Sequence, residues 1–279
     1  MIRRFEQREF FLFTQREHAR IAAELVSQAG NDRFLPPVRR DALRHAASLH
    51  DAGWDATDAE PLLSPQRYPL DCLEAGWAMQ IQALAASTRR LRDEPRADPW
   101  ATLLVSIHGM QLADDFGKVS AGPRRFESSD MRRLFEVNKY QQTEIELQET
   151  LRTSLGLSND HARRLGLSQD LADPRERELA VDYRWLALCD LISMSLLATD
   201  VVVQPMPGVT EKGGSTSPIA ARRIGTRLIL APWPFADSRI NLRAEFRRYP
   251  AAPTRSAPEL QYALEQLPSE SLDLLLVAN

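Results

Sequence analysis

His50 and Asp51 are adjacent in the stretch Ser48-Leu49-His50-Asp51-Ala52-Gly53-Trp54-Asp55, and they offer an imidazole nitrogen and a hard carboxylate oxygen side by side. At helical spacing His50 shares a face with Leu43, Ala46 and Gly53, so it points inward with Asp51 beside it. Asp55, one turn after Asp51, is placed to orient a ligand or a water. Three carboxylates, Asp51, Asp55 and Asp58, beside an inward histidine are unfavourable to pack without a compensating charge, which a bound cation would supply. Taken alone, the pair is more simply a helix C-terminus with solvated acids. Further ligands must therefore come from the rest of the chain.

Two other histidines fall on apolar helical faces. His18 aligns with Ile21, Ala22 and Leu25, and His108 with Ala101, Leu104 and Leu112. With five histidines in all, chance would seldom place three of them on the apolar faces of separate helices. His45, about 140° from His50 around the helix, is expected to face outward. His161, among Asp160, Arg163 and Arg164, reads as a surface residue. The run Trp185 to Ala198 is apolar on nearly every face, which marks a helix buried all round, and Asp190 is its one carboxylate. A fully buried aspartate needs a hydrogen-bonded partner, an arginine from elsewhere or a metal ion.

The elements that carry these residues are read from capping and periodicity. Residues 9–14 form a short aromatic strand. Thr14 and Glu17 then have capping-box spacing, and Gly30 is placed to end that helix. Pro36 and Pro37 open the helix bearing His50, and a further helix is expected over residues 71–93. Asp98-Pro99 starts the His108 helix, and a long polar helix covers 129–155. Val201–Val203, 226–231, 240–246 and 272–277 read as strands between loops rich in proline, glycine and serine, with a short helix at 258–266. Pro232-Trp233-Pro234-Phe235 is expected to pack the sheet onto the helices. This pattern predicts a mainly α protein: a helical domain over 1–200 and a small β-rich C-terminal element over 201–279, which the N-terminal strand could join.

A formal charge of -3 argues against general nucleic-acid binding. Cys72 and Cys189 lack the spacing of a thiolate site or redox pair and suggest a reducing compartment. The apolar run Phe10–Phe13 is too short for a signal peptide, and no stretch reaches membrane-span length. The expectation is a cytoplasmic protein.

Five motifs, read in order, carry a family resemblance: Thr14-Gln15-x-x-His18-Ala19, His50-Asp51-x-Gly53-Trp54, Ser106-x-His108-Gly109, Cys189-Asp190 and Pro232-Trp233-Pro234-Phe235. Over essentially the whole chain they resemble the HD-domain superfamily of metal-dependent helical hydrolases, and more narrowly a bacterial branch, the domain of unknown function 3891. The resemblance implies an HD-like buried helical bundle in which His18, His50, Asp51 and Asp190 bind a divalent cation. Mixed nitrogen and oxygen ligands suit Mn, Fe, Zn, Co or Ni. His108 is a further candidate ligand, although with His161 outward a complete second site is not expected. Such an ion would activate a water against a phosphoryl group, with Asp51, Asp55 or His108 orienting the water or moving its proton. Trp54 stands where several HD subfamilies carry a lysine. Trp54, Arg124, Arg125 and Lys139 are the residues expected to meet a small anionic substrate, the two arginines from a basic loop over 117–126. The implied function is hydrolysis of a small phosphoester or nucleotide. A di-iron oxygenase, a non-catalytic metal- or ligand-binding protein and a homodimer are the alternatives left open.

Overall fold

The computed structural model describes residues 1–117, 128–160, 173–199 and 205–279. Seven strands form one mixed sheet: β1 (Ile2–Glu6), β2 (Glu9–Phe13), β3 (Met206–Thr210), β4 (Thr216–Ile224), β5 (Arg227–Ala231), β6 (Arg239–Pro250) and β7 (Glu270–Ala278). Their spatial order is β1-β2-β6-β7-β5-β4-β3, antiparallel throughout except between β5 and β7. This curled half-barrel, with 23% of the residues in strands, overturns the expectation of a mainly α, HD-like bundle. Residues from both ends of the chain build the one sheet.

The unforeseen strands have identifiable causes. β1 turns into β2 through Gln7 and Arg8, both at positive φ, so a tight hairpin forms without the glycine or asparagine that normally signals one. β3 and β4 contain Pro207, Gly208 and Pro218, which read as loop. The ladder accommodates them at a bulge: Met206 pairs with Ile219 and Val209 with Ser217, leaving Pro207 and Gly208 opposite Pro218. The strand expected at Val201–Val203 lies outside the described residues.

Against the sheet lie α1 (Gln15–Ser27) and α7 (Pro174–Leu197); α2 (Arg40–Leu49) packs on both and α5 (Pro99–Gly117) on α7, with α3 (Asp55–Ala59), α4 (Trp77–Arg92) and α6 (Ser128–Leu155) completing the helical layer. α8 (Ala257–Gln266) leads into β7. Thr14 caps α1 by accepting the Glu17 N–H at 3.1 Å, and Asp98 and Asp173 do the same for α5 and α7. α2 begins later than its prolines suggest, at Arg40. Ile21 and Leu25 of α1, Leu188 and Ile192 of α7, and Phe13, Leu242 and Leu276 of the sheet share one core. Phe235 is fully buried against Trp185, their rings 5.9 Å apart.

The sheet also grips the end of α7. Arg4 of β1 donates to the Leu196 carbonyl at 3.1 Å, and Arg223 of β4 donates to the carbonyls of Ser195 and Ala198. These guanidinium groups satisfy carbonyls that a helix C-terminus leaves without intrahelical partners. They also fix the register of the helix that bears Asp190.

Candidate metal centre

Four helices and the turn that follows α2 bring five side chains into one cluster. His18 comes from the first turn of α1 and His50 from the residue that ends α2. Asp51 opens the short turn Ala52–Trp54, His108 sits mid-way along α5, and Asp190 lies on α7. His18 Nε2 lies 3.2 Å from His50 Nε2 and 2.9 Å from Asp190 Oδ1, and His50 Nε2 is 3.3 Å from that same oxygen. Asp51 Oδ2 stands 3.5 Å from His18 Nε2 and 3.6 Å from His50 Nε2, while His108 Nε2 is 3.4 Å from Asp190 Oδ2. Ligands about 2.1 Å from one ion are separated by roughly 3.0 Å in octahedral and roughly 3.4 Å in tetrahedral geometry. The observed donor spacings, 2.9 to 3.6 Å, lie within about 0.2 Å of those values.

The chemistry of the donors also fits an ion. His50 Nδ1 lies 2.7 Å from the Ala47 carbonyl, which can only accept, so the Nε2 lone pair can face the centre. His108 is buried, and among the described residues Nδ1 has no hydrogen-bond partner and Nε2 has only its 3.4 Å contact with Asp190 Oδ2. Side chains within reach of a shared ion fall into two overlapping groups, His18, His50 and Asp51, and His50, His108 and Asp190.

A family model described as a protein of unknown function (DUF3891) matches residues 1–250. The chain belongs to the DUF3891 family. No curated protein and no solved structure matches it. The family match spans all five converging side chains of this DUF3891 protein and six of its seven strands.

Electrostatics in the DUF3891 centre oppose burial. Burial alone would lower the His50 pKa, but the Asp51 and Asp190 carboxylates outweigh it and raise it to about 9. Burial would raise Asp190, yet the imidazoles of His108, His18 and His50 hold its carboxyl well below the usual range. Asp190 is not sealed in hydrocarbon as its sequence context suggests. Its side chain is 17% exposed and that of Asp51 14%, against 0% for His18 and 1% for His50. The imidazoles form the buried back of the site and the carboxylates its open side.

Local packing explains the Gly53 position. A Cβ added there would lie 1.9 Å from the Ala83 carbonyl oxygen, and the Gly53 N–H donates to Ser87 Oγ at 2.9 Å. The turn carrying Asp51 is thus pressed directly onto α4.

Other expected site residues fall elsewhere. Trp54 is buried in the core, and Asp55 is exposed on α3 outside the grouped donors. Lys139 is exposed on α6, where it lines a groove with Arg89, Arg92 and Glu144 rather than belonging to the donor groups. Arg124, Arg125 and His161 lie outside the described residues. His45 is directed away, paired with Glu94 at 3.0 Å. Two features went unread in the sequence. Ser193, one turn after Asp190, lies 2.6 Å from His18 Nδ1. Tyr183, two turns before Asp190, donates to Gln111 beside His108, with ring centroids of Tyr183 and His108 6.4 Å apart. Spacings of three and seven from Asp190 on α7 were the available signal.

Proposed function

We propose that this protein is a metal-dependent phosphohydrolase that holds a divalent cation with His18, His50, Asp51, His108 and Asp190. The observation that carries the reading is the clustering of three imidazoles and two carboxylates at ligand spacing, with His108 Nδ1 without a hydrogen-bond partner among the described residues. The order His18, His50-Asp51 and Asp190 resembles that of HD-domain hydrolases, which favours a small phosphoester or nucleotide as substrate. A bound divalent ion supplies Lewis acidity and a water acidic enough to be deprotonated near neutral pH. The chain's own contributions are orientation and proton movement. The Ala47 carbonyl fixes the His50 ring, and the partly exposed Asp51 carboxylate can accept a proton on the open side.

Elemental analysis of protein purified without chelator, joined to a phosphoester turnover panel, tests this. About one Mn, Fe, Zn, Co or Ni per chain is expected, lost in His50→Ala and Asp190→Ala together with turnover and retained in His45→Ala. Ion-free protein that turns over no phosphoester after reloading would overturn it. Because each donor group also has an imidazole and a carboxylate of its own beside His50, His18 with Asp51 and His108 with Asp190, a dinuclear iron oxygenase is the second reading, with the single free nitrogen of His50 serving one iron alone. About two irons per chain with dioxygen consumption would favour it.

A further inference from the structure

His18 and His50 present the same nitrogen to the centre but are held from behind by groups of different chemistry. Behind His50 stands a backbone carbonyl, which only accepts, so its Nδ1 keeps a proton in every state. Behind His18 stands the Ser193 hydroxyl, 2.6 Å from Nδ1, which can either donate or accept. The same Ser193 Oγ is 2.8 Å from the backbone carbonyl of Asp190, and His18 Nε2 is 2.9 Å from the Asp190 carboxylate. His18 and Ser193 are both 0% exposed, so water does not compete for these contacts.

We propose that Ser193 is a positioning residue whose hydroxyl rotates to let His18 change tautomer when the ion binds, an inference that rests on the metal reading above. Without an ion, the His18 proton sits on Nε2 and donates to Asp190 Oδ1, while the Ser193 hydroxyl donates to Nδ1. With an ion, the proton sits on Nδ1 and donates to Ser193 Oγ, and the serine hydrogen turns to the Asp190 carbonyl. One proton leaves Nε2 and one is taken up at Nδ1, exchanged with solvent during transient openings of the site, so the number of protons on the ring is unchanged and the charge balances. Each state keeps the contact between His18 and Ser193 and needs no movement of heavy atoms. A carbonyl in place of the hydroxyl would forbid the first state, and an alkyl group would leave Nδ1 buried without a partner in both. Because Ser193 follows Asp190 by one helical turn, the same stretch of α7 sets the carboxylate and the ring that faces it.

The test uses the whole chain, histidine-labelled with ¹⁵N, with zinc as the probe ion. Long-range ¹H–¹⁵N spectra read the tautomer of each ring, and calorimetry reads zinc affinity. The expected result is a His18 proton on Nε2 without zinc and on Nδ1 with it, while His50 keeps a protonated Nδ1 throughout. Ser193→Ala is expected to weaken zinc binding by about 10–100-fold, the usual effect of losing a group that orients a ligand. Ser193→Thr, which keeps the hydroxyl, is expected to restore it. The same His18 tautomer in both states of the wild-type protein, a reading that needs no variant, overturns the proposal. So does a folded Ser193→Ala protein that binds zinc as tightly as wild type. Wild-type protein that takes up no zinc overturns the metal reading itself and this proposal with it.

Discussion

The Asp182 carboxylate accepts the Trp100 indole N–H at 2.9 Å, and the same carboxylate accepts the backbone N–H groups of Val38 and Arg39 at 2.7 and 3.1 Å. Trp100 opens α5, Val38 and Arg39 lead into α2, and Asp182 belongs to α7. One buried acid therefore ties together the three helices that deliver His108, His50 and Asp190. Burial raises the Asp182 pKa, and the three donors and the nearby Arg39 work against that rise.

Asp182→Ala should strand three donors at once, and the cost is on the order of 3 kcal/mol of folding stability. Asp182→Asn keeps one accepting oxygen and should lose roughly half as much. Urea unfolding monitored by tryptophan fluorescence measures both, and an alanine variant as stable as wild type would show that the knot is incidental.

Gly53→Ala places a methyl group against the Ala83 carbonyl, so either the turn or α4 must move. A loss of roughly 2 kcal/mol is expected, with metal content reduced because Asp51 is carried on the same turn. Thermal unfolding and elemental analysis of the variant decide the point. Normal stability together with a full metal complement would refute it.

Glu144 provides a pH dependence away from the centre. Its carboxyl faces the hydroxyls of Ser106 and Thr88, with Arg92, Arg89 and Tyr140 nearby, and burial raises its pKa from 4.5 to about 7. The folded protein therefore binds this proton more tightly than the unfolded chain. The resulting stability is complete below pH 4.5 and is lost as pH rises through about 7. Glu144→Gln, which keeps an acceptor for Ser106, should remove that slope. At pH 8 the variant should be more stable than wild type by on the order of 2 kcal/mol. Denaturant midpoints taken from pH 5 to 8 test the sign, and parallel profiles for the two proteins would contradict it.

The helices were legible because each carries its own signal. Thr14 and Asp98 cap where their side chains can reach the following N–H groups, and the apolar faces of α1 and α5 carry His18 and His108 inward. The sheet was legible only in part: β2, β5, β6 and β7 were read as strands, whereas β1, β3 and β4 were not. Its hairpin between β1 and β2 uses Gln7 and Arg8 where glycine or asparagine is usual. Its β3–β4 pair hides behind prolines that only a bulge can accommodate.

The sequence by itself determined which residues turn inward, because a helical face is a local property repeated every three to four positions. It thereby fixed His18, His50, His108 and Asp190 as candidates and set His45 aside. The tertiary structure decided which inward residues meet. Asp190 lies beside three imidazoles rather than a guanidinium, Ser193 stands behind His18, and Trp54, Asp55 and Lys139 lie apart from the donor groups. Periodicity gives direction around one helix axis, whereas contact depends on how four helices cross. Here that crossing is fixed by partners far apart in sequence, such as Asp182 with Val38 and Trp100, and Arg4 with Leu196.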